Sequence, residues 1–521
     1  MAPPAMDLAL PPWTGRVVQT GRPTFGHESV EIPAPWHTPG DANRVRPRPW
    51  PLWPLWPAGL AAAATRRRRP RVLRAASAAS AGAQAVLVKE EEVEKDSEPE
   101  ASDSRPEKPD EHQLIVWLVA AAYVIWQMDK VNMSVAILPM ASDFSWDSGE
   151  QGLIQSSIFW GYAATQVVGG LLSTRFGGKR VLLFAVTLWS CATMLAPFAA
   201  SLGTEAFVLS RALVGIGEGL APAAGLRMVA TWVPEAERSR AVSTLGAGKT
   251  GGSILGLLLA PVVIGSLGWQ SMFYTFGVLG LFWAAVWLLK GEDKPGSVGE
   301  GTEEIPWWPI LSTPQLWGVV VAHFCHDFGG YALLTWTPTY LNKALGYNLV
   351  GSSELTVIPS VCAVAVAAAA GTAADQLHQD GMALTTVRKV FQSVGFFVPC
   401  LMLGLLASMQ EIEPGSLMPI LLLTVGIASG ACSYAGLYSS HADLSAKYSG
   451  IVNGISTTFG ALAGVCSNAY VGYALKATDS WALSLFVPSI CLYLVGWAVY
   501  VWLYDATPID WDQVKEEAEP S

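Results

Sequence analysis

Long apolar segments follow one another through most of this chain. Between Leu114 and Tyr504 they recur with only short polar breaks. A run of roughly 20 apolar residues is long enough to cross the hydrocarbon core of a bilayer as a helix. In lipid, only helices and closed barrels satisfy every backbone hydrogen-bonding group. The pattern therefore predicts an all-α polytopic membrane protein.

The spacing of the apolar segments predicts about twelve transmembrane helices in two sets of six. We expect a first six-helix bundle at 114–290, a central loop at 291–315 and a second bundle at 316–504. The individual helices are expected near 114–139, 150–174, 179–200, 205–233, 239–264, 270–290, 316–341, 353–374, 386–408, 416–440, 449–474 and 481–504.

Composition excludes a set of soluble domains. Hydrophobic residues make up 51% of the chain and charged residues only 14%. The formal net charge is -10, but much of the acid lies in the linker at 86–113 and in the C-terminal tail at 505–521. This charge therefore indicates no particular partner. We expect the lipid bilayer to be the main surrounding, with no nucleic acid and no obligate protein partner.

The charges of the loops predict an orientation. An even number of spans puts both termini on one side, and most loop cations fall on that side. Positive loops remain on the side from which a membrane protein is inserted. The cations on the side of the termini are Arg175, Lys179, Arg180, Arg238, Arg240, Lys290, Lys294, Arg388, Lys389 and Lys447.

The first 85 residues are typical of a targeting sequence. They are rich in Pro, Trp, Ala and Arg, include the run Arg66–Arg69 and contain no lysine. We interpret 1–85 as a disordered plastid transit peptide, followed by the acidic linker at 86–113. A mitochondrial presequence, or a disordered tail of a protein of another membrane, is the alternative.

Several ionisable residues lie inside the predicted spans. A charge in a bilayer span is costly and by default marks a path for a substrate, an ion or a proton. Lys130, Arg211 and a histidine from the second bundle, His326, would together form an anion site. Glu218 is the candidate for proton or cation coupling. The alternatives are a static Arg211–Glu218 pair and a Lys130 that pairs only with Asp129 or extends to the membrane interface.

Two other patterns are considered and set aside. His323 and His326 have the spacing of helical metal ligands, but no third ligand is evident. The run Gly246–Thr250 is similar to a phosphate-binding loop, yet it lies in an apolar helix with no preceding strand. We expect no metal, no cofactor other than a coupling ion, and no enzymatic activity. Lys249 stays an unexplained charge that could line the cavity.

Several motifs resemble one transporter family. The stretches MDKVNMSVAILPM, GLIQSSIFWGYAATQVVGG, RALVGIGEG, WVPEAERSRAV, GWQSMFYTFG and CHDFGGYALLTWTPTYLN are similar to those of the anion–cation symporter family. This family of the major facilitator superfamily includes sialin and the vesicular glutamate transporters. The resemblance is greatest to the plant and algal plastid anion transporters, which carry phosphate or ascorbate. It implies the major facilitator fold.

The resemblance also implies roles for single residues. Lys130 falls on the substrate-contacting cation of the first helix, and Tyr162 on a tyrosine that lines the site. Gln155 falls on a histidine of the glutamate transporters, and His326 on their seventh-helix arginine. The fourth-helix arginine and the coupling glutamate of the family fall on Arg211 and Glu218. Gating loops are implied by GGLLSTRFGGKR and by its counterpart in the second half, and their residues are Arg175, Lys179, Arg180 and Asp375.

These features together predict a secondary active transporter. We expect it to carry inorganic phosphate across a plastid membrane, coupled to Na⁺ or H⁺ by alternating access. Ascorbate or another organic anion is the alternative substrate, and an uncoupled anion channel or a substrate sensor is the alternative of another class. The membrane would be the inner envelope or the thylakoid.

Overall fold

The computed structural model describes residues 109–293, 305–409, 415–445 and 447–518. Within these ranges the regular structure is helical throughout, with twelve long helices and two short ones. The predicted transit peptide, most of the acidic linker and the middle of the central loop lie outside the described residues.

The long helices are α1 to α12. In chain order they are Pro109–Phe144, Ser148–Phe176, Gly178–Leu202, Thr204–Trp232, Glu235–Leu267, Trp269–Lys290, Pro314–Lys343, Leu349–Gln379, Leu384–Ser408, Met418–Leu444, Ser449–Thr478 and Ala482–Leu503. Every predicted span coincides with one of these helices, and the ends differ by a few residues. The prediction of two six-helix halves is confirmed.

Ten of these helices are apolar and long enough to cross a membrane. The other two, α2 and α7, are as long but are interrupted by polar residues such as Gln155 and His323. Polar residues in a span face the bundle interior because lipid offers them no partner. Both less apolar helices accordingly contact the other half and line the central cavity.

Two segments that were predicted to be loop or tail contain short helices. Trp307–Ser312 lies in the central loop, and Trp511–Ala518 lies in the tail. The tail helix is anchored: Trp511 is buried and its Nε1 donates to Thr313 Oγ1 at 2.9 Å. The acidic tail thus contains a helix that is attached to the rest of the protein: Trp511 binds the residue before α7, and Tyr448 of the second bundle donates to Asp512.

Each half has its own apolar core. The first half packs around large buried side chains such as Trp189 and Trp287, and the second around Trp336 and Tyr500. A half with its own core can move as a rigid body against the other. This is the mechanical requirement for alternating access.

The halves contact each other closely on the side opposite the termini. There the first turns of α2 cross the last turns of α11, and Gly152 lies against Gly472. A Cβ atom on Gly152 would lie 2.7 Å from the Gly472 Cα, so only glycine permits this approach. At the same end Lys476 Nζ lies 2.8 Å from Asp147 Oδ2. The hydrogen bond from this ammonium lowers the pKa of the Asp147 carboxyl below its usual value.

Candidate functional site

A cavity of about 310 Å³ lies between the two halves. Both halves supply its wall, which includes Lys130 and Tyr162 from the first half and His326 from the second. Lys249 and Tyr434 also line the cavity and remain exposed. Because the opposite end is closed by the α2–α11 contact, the cavity opens toward the side of the termini.

Lys130 sits among aromatic rings. Its Nζ lies 3.8 Å from the centroid of the Tyr162 ring and 5.1 Å from that of Trp126. The rings of Phe159 and Tyr331 lie at 5.5 and 5.7 Å. The negative faces of aromatic rings attract a cation without neutralising it. The ammonium is thus held in place while keeping its positive charge for an anion.

Glu218 is the ionic partner of Lys130. The carboxylate is 0% exposed, and its Oε2 lies 3.9 Å from Lys130 Nζ. The same oxygen accepts a hydrogen bond from Trp126 Nε1 at 3.1 Å. The other oxygen, Oε1, has no hydrogen-bond partner within the described residues. The alternative that Lys130 pairs only with Asp129 is wrong, because its ammonium group lies beside Glu218 of α4.

Arg211 lies apart from the large cavity. Together with Gln155 and Lys130 it borders a separate void of about 20 Å³. Arg211 is 1% exposed, and its Nε and Nη1 make no hydrogen bond in the part of the chain that the structure describes. Neither amide atom of Gln155 has a partner there either. Lys130 therefore borders both spaces: it meets Arg211 at the small void and His326 at the large cavity, which Arg211 does not line.

Asp129 is a buried carboxylate whose role sequence reasoning missed. It accepts hydrogen bonds from Thr193 Oγ1 and from Asn132 Nδ2, both at 2.8 Å. It also attracts the guanidinium of Arg211 electrostatically. A signal was present in the sequence, since Asp129 and Asn132 are three residues apart and so share a helix face. The alternative partner that the sequence offered for Lys130 therefore interacts instead with Thr193, Asn132 and the charge of Arg211.

The second half contributes a cluster of titratable groups. His326 lines the cavity as predicted, and beside it lie Asp327 and His323. His326 Nε2 approaches the carbonyl oxygen of Gly430 at 3.4 Å, where α10 loosens into a 3-10 turn at Ala431–Tyr434. Irregular turns within a span expose backbone groups to a cavity. Sequence reasoning gave a role to His326 alone and none to Asp327.

The predicted gating residues lie at the ends of helices on the side of the termini. Arg175 stacks on Phe176 at 5.4 Å, and Arg180 is exposed. The backbone nitrogen of Lys179 donates to Asp293 Oδ1 at 2.9 Å. These contacts tie the α2–α3 loop to the end of the first half.

In the second half, the arginine at the start of α9 pairs with an acidic residue of α10. Arg388 Nε and Nη2 form a two-pronged pair with Asp443, at 2.6 and 3.2 Å. Asp375 is exposed near the end of α8. The ion pair therefore links α9 to α10 and leaves Asp375 at the surface.

Comparison with known proteins gives one consistent result. The sequence profile of the Major Facilitator Superfamily matches residues 117–468. The chain is 41% identical to an Arabidopsis thaliana protein named "Ascorbate transporter, chloroplastic", over 74% of each chain. It is 40% identical to the "Sodium-dependent phosphate transport protein 1, chloroplastic" of the same plant, over 74% of this chain and 78% of that one.

The solved structures agree on the fold. A bacterial homologue of the human lysosomal transporter Spinster, in an inward-facing and unoccupied conformation, superposes with a TM-score of 0.63. It shares 14% sequence identity and covers 76% of this chain and 97% of its own. At that identity the likeness concerns the fold alone.

Proposed function

Because the chain belongs to the major facilitator superfamily, we propose that it is a secondary active transporter that carries a small anion across a plastid membrane. The observation that carries this proposal is Lys130, a buried cation on the wall of a cavity between two rigid halves. Its carboxylate partner, Glu218, is a charge that an entering anion must displace or that a cation must neutralise. Such competition is the electrostatic basis of cotransport.

Inorganic phosphate is the first substrate of this proposal. A phosphate ion accepts several charge-assisted hydrogen bonds, and Lys130, Lys249 and His326 all line the cavity as possible donors. The name of the Arabidopsis phosphate transport protein supports this substrate. Sodium or protons would supply the driving force, and Glu218 would be the coupling group.

Ascorbate, or a similar organic anion, is the second candidate substrate. The cavity of about 310 Å³ would leave a lone phosphate far from most of its walls. Tyr331, Tyr434, Tyr438 and Tyr493 line it and offer flat rings and hydroxyl groups. A ring-shaped anion with several hydroxyls would use both. The name of the Arabidopsis ascorbate transporter supports this candidate.

The plastid location rests on two observations. The relatives compared above carry the word chloroplastic in their names. Residues 1–85 also have the composition of a transit peptide. Removal of the residues before Lys89 should abolish plastid import of a fluorescent fusion and leave transport by the purified protein unchanged. Import of the truncated fusion would overturn this part of the proposal.

The test of transport uses proteoliposomes that contain residues Lys89–Ser521. Uptake of labelled phosphate is measured with an imposed sodium gradient, with an imposed proton gradient and with neither, and unlabelled ascorbate and glutamate are the competitors. Gradient-driven phosphate uptake that resists both competitors supports phosphate as the substrate. Uptake of labelled ascorbate without phosphate uptake supports the second candidate. A current or flux that does not depend on the sodium gradient or on the proton gradient indicates a channel and overturns coupled transport.

A further inference from the structure

Asp327 on α7 is the centre of a buried cluster of titratable groups. Its Oδ2 lies 3.3 Å from His323 Nε2, and its Oδ1 lies 3.3 Å from His326 Nδ1. The hydroxyl of Tyr438 donates to Oδ1 at 3.2 Å. Both carboxylate oxygens are thus occupied by side chains that can carry or pass a proton.

His323 can take up a proton without moving. The ring is 1% exposed, and its Nδ1 lies 2.6 Å from Ser456 Oγ. In the neutral tautomer that carries its hydrogen on Nε2, this N–H faces Asp327 Oδ2 and Nδ1 is free to accept from the serine hydroxyl. When a proton binds to Nδ1, that nitrogen becomes the donor and Ser456 Oγ the acceptor, after a simple rotation of the hydroxyl hydrogen. Release of the proton reverses the change, and no heavy atom is displaced.

The neighbouring helix, α11, leaves space for this cluster at a glycine. Gly460 on α11 faces Asp327, and a Cβ atom there would collide with Asp327 Oδ2 and lie 3.3 Å from His323 Cδ2. The absence of a side chain at Gly460 lets the carboxylate and the imidazole lie against the α11 backbone. The position of the pair is therefore fixed by both α7 and α11.

Because of the charges around the cluster, the binding of an anion depends on whether the cluster carries an added proton. In the first half, Lys130 is offset by Glu218, while Lys249 contributes a further positive charge. With both imidazoles neutral, Asp327 places a negative charge on the cavity wall and repels an anion. One added proton cancels that charge. The titratable or charged groups around the cluster are Lys130, Tyr162, Glu218, Lys249, His326, Tyr331, Tyr434, Tyr438, His441 and Tyr493.

We propose that the Asp327–His323 pair is the site where a proton binds together with the transported anion, so that the second half contributes a coupling site of its own. The proposal rests on the proposed function and goes beyond it by choosing the proton over sodium. Sodium prefers oxygen ligands, whereas two of the three groups around Asp327 offer ring nitrogens. By linkage, bound proton and bound anion must stabilise each other to the same extent.

The test separates coupling from substrate exchange in proteoliposomes. Asp327→Asn and His323→Gln are compared with wild type in two assays, accumulation driven by a proton gradient and counterflow without a gradient. With one proton per anion, a gradient of about one pH unit supports about tenfold accumulation. We expect both variants to lose this accumulation and to retain counterflow. The exposed His378, outside the cluster, provides His378→Gln as the matched control.

Several outcomes would overturn the proposal. If Asp327→Asn accumulates the anion as well as the wild type does, the pair has no role in coupling. The same conclusion follows if a sodium gradient, and not a proton gradient, drives accumulation by the wild type. Loss of counterflow together with accumulation, in a variant that still folds, would make the pair part of anion binding instead. Ser456→Ala gives a second test, because it removes the partner of Nδ1 and leaves the carboxylate in place.

A measurement without substrate keeps the inference separate from the proposed function. Acid–base titration of the purified wild type and of Asp327→Asn between about pH 5 and pH 8 counts the bound protons. We expect the wild type to take up about one proton more than the variant. Equal uptake would overturn the coupling site even if transport of phosphate or ascorbate is established. If the wild type binds the additional proton but transports neither phosphate nor ascorbate, only the proposed substrates are overturned.

Discussion

Lys130 Nζ lies 3.9 Å from Glu218 Oε2, and neither side chain is open to bulk water. Lys130 comes from the first helix and Glu218 from the fourth, so the pair forms only when the first half is folded. Taking two charges out of water costs free energy that their attraction only partly repays. A pair of this kind is a weak stabiliser, and its position on the cavity wall suits a role in binding.

Replacement of Lys130 tests its contact with the anion. We expect Lys130→Gln to lower uptake by about 10- to 100-fold, because a hydrogen bond to a charged group contributes about 1.5 to 3 kcal/mol. The measurement is initial uptake in proteoliposomes. Lys290→Gln is the matched control, since Lys290 is exposed and lies outside the cavity. An equal loss in both variants would show a general effect of lost positive charge and contradict a special role for Lys130.

Replacement of Glu218 tests the predicted coupling role. Glu218→Gln keeps the size of the side chain and removes the charge that competes with the anion for Lys130. We expect anion binding to persist, while gradient-driven accumulation falls or slows. Trp126→Phe removes the hydrogen bond to Oε2, keeps an aromatic ring at this position beside Lys130, and should have a smaller effect. Full gradient-driven accumulation by Glu218→Gln would exclude this residue from coupling.

A double-variant experiment separates binding from stability at Arg211. Arg211→Ala should abolish uptake, but it also leaves the buried carboxylate of Asp129 without its nearby cation. A carboxylate that stays buried after the loss of a nearby positive charge lowers the free energy of unfolding. We therefore expect Arg211→Ala with Asp129→Asn to regain thermal stability in detergent. If it also regains uptake, Arg211 is structural and does not serve the anion.

The glycine contact between the halves predicts a conformational effect. In Gly472→Ala the new Cβ would lie 2.6 Å from the Gly152 Cα. We expect the halves to separate on the side opposite the termini, and the distance between spin labels at Leu202 and Thr478 to increase. Gly454→Ala on the same helix is the control, because a Cβ there meets nothing within 4 Å. An unchanged label distance in Gly472→Ala would contradict a gate at this contact.

The ion pair at the same end should respond to salt and not to moderate pH. The lowered pKa of Asp147 means that the contact with Lys476 is fully present above the ordinary value of 3.8 and is lost only as the pH falls through the lowered value. Between about pH 5 and pH 8 we expect no change in the label distance. Since the pair is exposed, salt should weaken it. A change within that pH range would assign the gate to other groups.

The sequence by itself determined the number of long helices and their approximate positions. Spans such as 205–233 and 449–474 are apolar over the thickness of a bilayer, and lipid leaves the backbone no alternative to helix. The sequence also identified Lys130, Tyr162, Glu218 and His326 as polar residues in apolar surroundings, where such residues are costly. These inferences need only local pattern and the physics of the membrane.

Only the tertiary structure decided which of these groups meet. Helix spacing places Arg211 and Glu218 seven residues apart on one helix, yet Glu218 pairs with Lys130 and Arg211 borders a separate void. Asp327 gained its three partners from its own helix and from α10, which is remote in sequence. Electrostatic partners are set by distances across helices, and those distances depend on packing, such as the space left at Gly460. The local sequence pattern does not determine these distances.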